Sequence, residues 1–108
     1  MTTFRATIQL CGLSQRQAAA YLGVSVSSVD KWCRGQRTVP VGVWTMMADL
    51  WTRIEDAADF AVLHIEDNGL DPRALQNFAA DDGTDPLPEG ADEVAGAMAL
   101  MMALAAAD

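Results

Sequence analysis

Apolar residues recur along this chain at helical spacings of three and four, and glycine, serine and proline break the pattern into segments of a nearly all-helical protein. Phe4, Ile8 and Cys11 predict a first helix over 3–11, closed by Gly12 as a left-handed cap. Ser14 then starts a second helix, and Ser14-Gln15-Arg16-Gln17 fits a capping box, the serine taking a backbone N–H while Gln17 reaches back. That helix ends near Leu22, with Gly23 at the turn. Ser25 caps a third helix that runs to about Arg34 and stops at Gly35. Pro40 suits the first turn of a fourth.

The fourth helix is long. Val43, Met47, Leu50, Ile54, Ala57 and Ala61 repeat in alternating steps of four and three, a heptad seam. Trp44, Trp51, Ala58 and Ile65 form a second stripe at steps of seven. A helix with two apolar faces needs two partners. The N-terminal helices supply one, and the expected second is another subunit, with packing inside the chain as the competing arrangement. Asn68-Gly69 ends this helix, and Asp71-Pro72 opens a short one to about Ala80. Residues 81–90 (DDGTDPLPEG) read as an acidic linker, and 91–107 as a last helix rich in alanine and methionine. From Val94 onward that helix is apolar nearly all round, so it must pack against something. Its longest apolar run, Ala95 to Ala107, has 13 residues, whereas a membrane-spanning helix needs about 20. The expected division is an N-terminal helical unit over 1–66 and an acidic linker with C-terminal helices, for dimerisation or a partner, over 67–108.

The segment 13–40 carries the most specific pattern. A helix-turn-helix crosses two short helices tightly, which constrains residue size at fixed positions. Counted from Gln15, the fifth position must be small and is Ala19, and the ninth favours glycine and is Gly23. The fourth, eighth, fifteenth and eighteenth point inward and are Ala18, Leu22, Val29 and Trp32. All six positions agree.

Charge supports this reading once the chain is divided. The net charge is −8, but residues 1–53 carry six basic side chains against two acidic, a net +4, and residues 54–108 carry one against thirteen, a net −12. One half is suited to a polyanion and the other is not. Two cysteines, Cys11 and Cys33, fall on apolar helix positions and read as buried free thiols in a reducing cytoplasm. With one histidine, His64, they make no recognised zinc spacing, so neither metal nor cofactor is expected. There is no nucleophile–base arrangement and no phosphate-cradling glycine loop, which argues against an enzyme. The start of the chain, Met-Thr-Thr-Phe-Arg, does not resemble a secretory signal, and the expected location is the cytoplasm of a bacterial or phage-infected cell.

The stretch LSQRQAAAYLGVSVSSVDKWCRGQRTVP resembles the phage-repressor (Xre/Cro) class of helix-turn-helix proteins over about residues 4–40. Its continuation, VPVGVWTMMADLWTRIEDA, is similar to anti-CRISPR-associated repressors, to about residue 66. The resemblance implies an all-α, lambda-repressor-like bundle whose third helix enters the major groove. Carried over by position, Val26, Ser27, Ser28, Asp30 and Lys31 become the candidate base contacts, with Val26 suited to a thymine methyl and Lys31 to guanine O6 and N7. Asp30 has a rival use as an ion-pair partner of Arg34 one turn on. Gln15, Arg16, Ser25, Arg34, Gln36, Arg37 and Thr38 become the candidate phosphate contacts. The expected function is a repressor of its own phage or mobile-element operon, bound to an inverted repeat of double-stranded DNA as a homodimer. Met47, Leu50, Trp51, Ile54, Met98, Met101 and Met102 are the expected dimerisation residues. The alternative is an antitoxin whose C-terminal helix holds a protein partner.

Overall fold

A computed structural model describes residues 2–71 and 87–106. Among the described residues there are five α-helices and no strand: α1 (Thr3–Leu10), α2 (Gln15–Leu22), α3 (Val26–Cys33), α4 (Val41–Asn68) and α5 (Ala91–Ala106). Beyond Asp71, the short helix expected to about residue 80, and the linker as far as residue 86, lie outside the described residues.

Helices of eight residues are too short to hold themselves together in water, so α1 to α3 depend on caps and on packing. Each has a side-chain N-cap. Thr2 accepts from the Arg5 N–H, Ser14 from Gln17 and Ser25 from Ser28. The capping box of α2 is complete, with Gln17 N–H donating to Ser14 Oγ at 3.1 Å and Ser14 N–H to Gln17 Oε1 at 2.9 Å. Gly23 closes α2 at φ 70° and ψ 33°, a left-handed conformation that a β-carbon would strain. The packing is a single core of Phe4, Ile8, Leu13, Ala18, Ala19, Leu22, Val29 and Trp32 with the first half of α4. The Phe4 ring stands edge-on to both Trp32 and Trp44, at centroid distances of 5.7 and 5.5 Å.

α4 starts one residue later than its sequence signal suggests. Pro40 occupies the N-cap and not the first turn, and it gives no side-chain cap. The buried line along α4 is Val43, Met47, Leu50, Ile54, Ala58, Ala61 and Ile65. The steps run four, three, four, four, three, four, close to the pitch of a straight helix. The expected seam therefore shifts from Ala57 to Ala58 midway and takes in Ala58 and Ile65 of the second stripe, while Trp44 is exposed and Trp51 half-buried.

Within the chain, α4 packs against α5. Ala91 and Ala95 share the core of the N-terminal helices and Ile54, whereas Ala99 packs with Ala58, Ala61 and Ile65 further along. The two helices thus run in the same direction, away from α1–α3. Met47, Leu50 and Ile54, placed by sequence at a dimer seam, are at most 1% exposed within the single chain and hold its own helices together. Trp51 and Met98 are half-buried against the same core, while Met101 and Met102 stay exposed.

Docking of α5 depends on one backbone crossing. Gly12 and Gly90 both have positive φ, 77° and 94°, and their backbones nearly touch. A β-carbon on Gly12 would strike the Gly90 carbonyl oxygen and lie 2.6 Å from Val94 Cγ2. One on Gly90 would strike the Gly12 carbonyl oxygen in return. Only glycine at both positions lets the start of α5 sit on the α1–α2 turn.

Candidate nucleic-acid interface

The core of the N-terminal helices fixes which side of α3 is left for a ligand. Val29, Trp32 and Cys33 are buried, so Val26, Ser27, Asp30, Lys31 and Arg34 fall on the remaining faces. Ser27 and Arg34 are exposed, Asp30 and Lys31 half-buried, and Val26 is a 46% exposed valine on the first turn. Successive steps of four and three place Ser27, Lys31 and Arg34 in one row along the helix, with Val26 and Asp30 in the adjoining row.

Two of the candidate base contacts, Ser28 and Asp30, are engaged within the free protein, each with a candidate phosphate contact. Ser28 is half-buried, and its hydroxyl accepts a 3.0 Å hydrogen bond from Ser25 Oγ, which itself accepts the Ser28 N–H at 3.1 Å. Both serines therefore serve the start of α3 first. Asp30 pairs with Arg34, Nε to carboxylate at 3.1 Å, the use weighed against a base contact from sequence. The pair is largely exposed, so it contributes little to stability and leaves the guanidinium able to exchange partners.

The candidate phosphate contacts surround this helix. Arg16 is exposed in the first turn of α2. Gln36, Arg37 and Thr38 are exposed on the segment joining α3 to α4. Gln15 is half-buried at the start of α2. Burial holds the Cys33 thiol above its ordinary pKa, with Arg5 and Gln15 opposing and Asp30 adding to the shift. Burial also raises Cys11. Both cysteines are free and buried.

One positioning contact has no counterpart in the sequence reading. Thr2 Oγ1 donates to the Cys33 carbonyl at 2.6 Å, so the residue that caps α1 also anchors the last turn of α3. The Thr-Thr pair at the start signals a cap, but the distant carbonyl it reaches is visible only in the fold. Trp32 Nε1 is buried without an acceptor among the described residues. There too, no group of three or more His, Cys, Asp or Glu side chains is placed to hold a metal ion.

Two short helices crossed at Ala19, a glycine turn and an outward-facing second helix define a helix-turn-helix domain. Residues 4–50 match the helix-turn-helix family model. Over those residues the chain carries a helix-turn-helix domain, which supports a DNA-binding regulator. No curated protein and no solved structure shows a match to the chain. Among the described residues, no helix is long and apolar enough to cross a membrane.

Proposed function

We propose that this protein is a sequence-specific transcriptional repressor that reads an inverted repeat with α3, acts as a homodimer and controls its own operon. The observation that carries this reading is the outer row of α3: Ser27, Lys31 and Arg34 face away from a core that fixes the helix on its other side. Lys31 and Val26 supply base discrimination, and Arg16, Arg37, Gln36 and Thr38 hold the flanking phosphates. One module of this size reads only a few base pairs, so two linked copies on half-sites about one helical turn apart gain both affinity and specificity. The acidic C-terminal half opposes non-specific attachment to the duplex and raises the relative weight of base contacts. The narrower resemblance of VPVGVWTMMADLWTRIEDA to anti-CRISPR-associated repressors supports a phage or mobile-element operon as the target.

Fluorescence anisotropy with duplexes from upstream of the gene, titrated against a scrambled duplex at several salt concentrations, tests this. Tighter binding to the upstream sequence is expected, falling steeply with salt. Replacing Lys31 with alanine should cost about 1–3 kcal/mol on the preferred site and relax the preference at one base pair. Arg37→Ala should weaken all sequences alike and lower the salt slope by about one. Absence of binding even in low salt sinks the reading.

A further inference from the structure

α5 packs with its residues sorted against the usual order. The side facing α4 and the N-terminal core is Ala91, Ala95, Gly96, Ala99 and Ala103. Val94, Met98 and Leu100 pack half-buried along its edges, and the remaining large apolar residues lie outward, with Met101 59% and Leu104 45% exposed. A helix that needed only α4 would turn its methionines and leucines inward, since each buried CH₂ contributes about 0.8 kcal/mol. Small residues instead let the α4 and α5 backbones approach closely and keep the larger side chains for another surface.

Charge identifies what that surface takes. From Val94 to Ala106 α5 has no charged residue, and helical spacing puts Ala97, Met101 and Leu104 together opposite the alanine line. Three of the five acids in the second half of α4 lie elsewhere. Asp56, Asp59 and Asp67 fall on the side of α4 turned away from its buried line, interleaved with exposed Phe60 and Leu63. A basic partner would seat on that outer α4 face. A polyanion has no donor to meet on α5.

We infer that the outer face of α5, centred on Ala97, Met101 and Leu104, is the contact surface for a second copy of this chain. Stacking the pairs as α4–α5 against α5–α4 puts the uncharged faces together and the two acidic faces outermost, where like charges are furthest apart. The contact is isologous, each copy presenting the same patch. It is one helix wide, small beside the roughly 800 Å² per partner of a standard interface, so the dissociation constant should be on the order of micromolar. The inference names the seam of the homodimer proposed above and rests on that reading for its use on DNA, while the contact itself is measured without DNA.

Sedimentation velocity of the full chain, from about 1 µM to several hundred µM, provides the test, with concentrations set around the expected micromolar constant. The wild type should pass from monomer to dimer. Met101→Glu with Leu104→Glu should weaken association at least about 100-fold, because each dimer would bury four carboxylates. Phe60→Glu, on the acidic face of α4, should leave it unchanged. Should the double variant lose helicity by circular dichroism, Ala97→Cys, Met101→Cys and Leu104→Cys probe the seam singly under mild oxidation, and at least one should give a disulfide-linked dimer. A wild type that stays monomeric overturns the inference, as does a double variant that remains dimeric. A dimer broken by Phe60→Glu, or no linked dimer from any of the three cysteines, also overturns it. A dimer through α5 that fails to bind DNA sinks the repressor reading alone, and a monomer that binds DNA sinks the seam alone.

Discussion

The three N-terminal helices and the α4–α5 pair bury their apolar residues in opposite ways. In α1–α3 the interior holds Phe4, Ile8, Val29 and Trp32, and small residues sit only where α2 is crossed, at Ala18 and Ala19. In the pair, α5 gives the interior nothing larger than alanine in its buried line and leaves Met101, Met102 and Leu104 outside. Large buried side chains fix a unique crossing geometry, which a helix presented to a DNA groove requires. A line of alanines fixes distance more than register. The first region is therefore built to position α3, and the second to approach closely and leave apolar surface for another contact.

The comparison breaks most severely where the two regions join. Gly12→Val or Gly90→Ala puts a β-carbon into the opposing carbonyl, at positions where positive φ already disfavours it. Each should cost about 3 kcal/mol or more, the sum of backbone strain and a lost close approach. Denaturant unfolding reads the loss. If the pair were merely appended to the N-terminal helices, Gly90→Ala would leave the midpoint where it is.

The alanine line gives a sharper contrast at lower cost. Ala99 is fully buried between Ala58, Ala61 and Ile65, so Ala99→Leu should push the helices apart and cost about 1–3 kcal/mol. Met101→Ala, two residues on but exposed, should change the stability of the monomer by less than about 0.5 kcal/mol. Equal losses from the two, measured by thermal unfolding at low concentration, would abolish the distinction between an inner and an outer face of α5.

These contrasts also explain what could be read from the sequence. The N-terminal helices were legible almost residue by residue, because short helices advertise their ends: Ser14, Ser25 and Gly23 are local signals with local causes. The six constrained motif positions depend on neighbours close in sequence, so spacing alone located them. The partner of α4 was not legible. Met47, Leu50 and Ile54 form a stripe that a second subunit or a distant helix could cover equally well, and α5 lies more than twenty residues beyond α4. The Gly12–Gly90 crossing was hidden for the same reason, since a glycine at a helix end reads as a cap whether or not another backbone touches it. Ser28 stands among the candidate base contacts because a motif position tells which helix meets DNA, not which hydroxyl its cap has already engaged.

A smaller effect separates the regions by their dependence on caps. Ser14→Ala removes the acceptor for the Gln17 N–H and half of the capping box, which should cost about 1 kcal/mol. Because α2 then frays at the end facing the expected phosphates, DNA affinity should fall with stability. Pro40 gives α4 no side-chain cap, so Pro40→Ala should leave stability within about 0.5 kcal/mol. Fluorescence-monitored urea titrations of the two variants compare them directly, and an equal shift in midpoint would remove caps as the distinguishing feature.

The smallest expected difference concerns alkaline pH. Cys11 and Cys33 are buried in the N-terminal core, and burial raises both thiols above their ordinary value of 9.0. For an acid whose folded pKa lies above its unfolded one, the stabilisation is fully present below the unfolded value and is lost as pH rises through the folded value. Folding should therefore weaken above about pH 9, once the unfolded chain can ionise thiols that the folded chain keeps neutral. The α4–α5 pair has no cysteine, so the loss belongs to the N-terminal helices. Urea unfolding at pH 8 and pH 10, repeated with Cys11→Ala and Cys33→Ala combined, isolates the thiols from other groups that titrate in that range. The double variant should be less stable at pH 8 because of the methylene-sized voids it leaves, yet lose less between the two pH values. An identical loss in both proteins would place the alkaline sensitivity outside the thiols, and the two regions would then no longer differ in their response to pH.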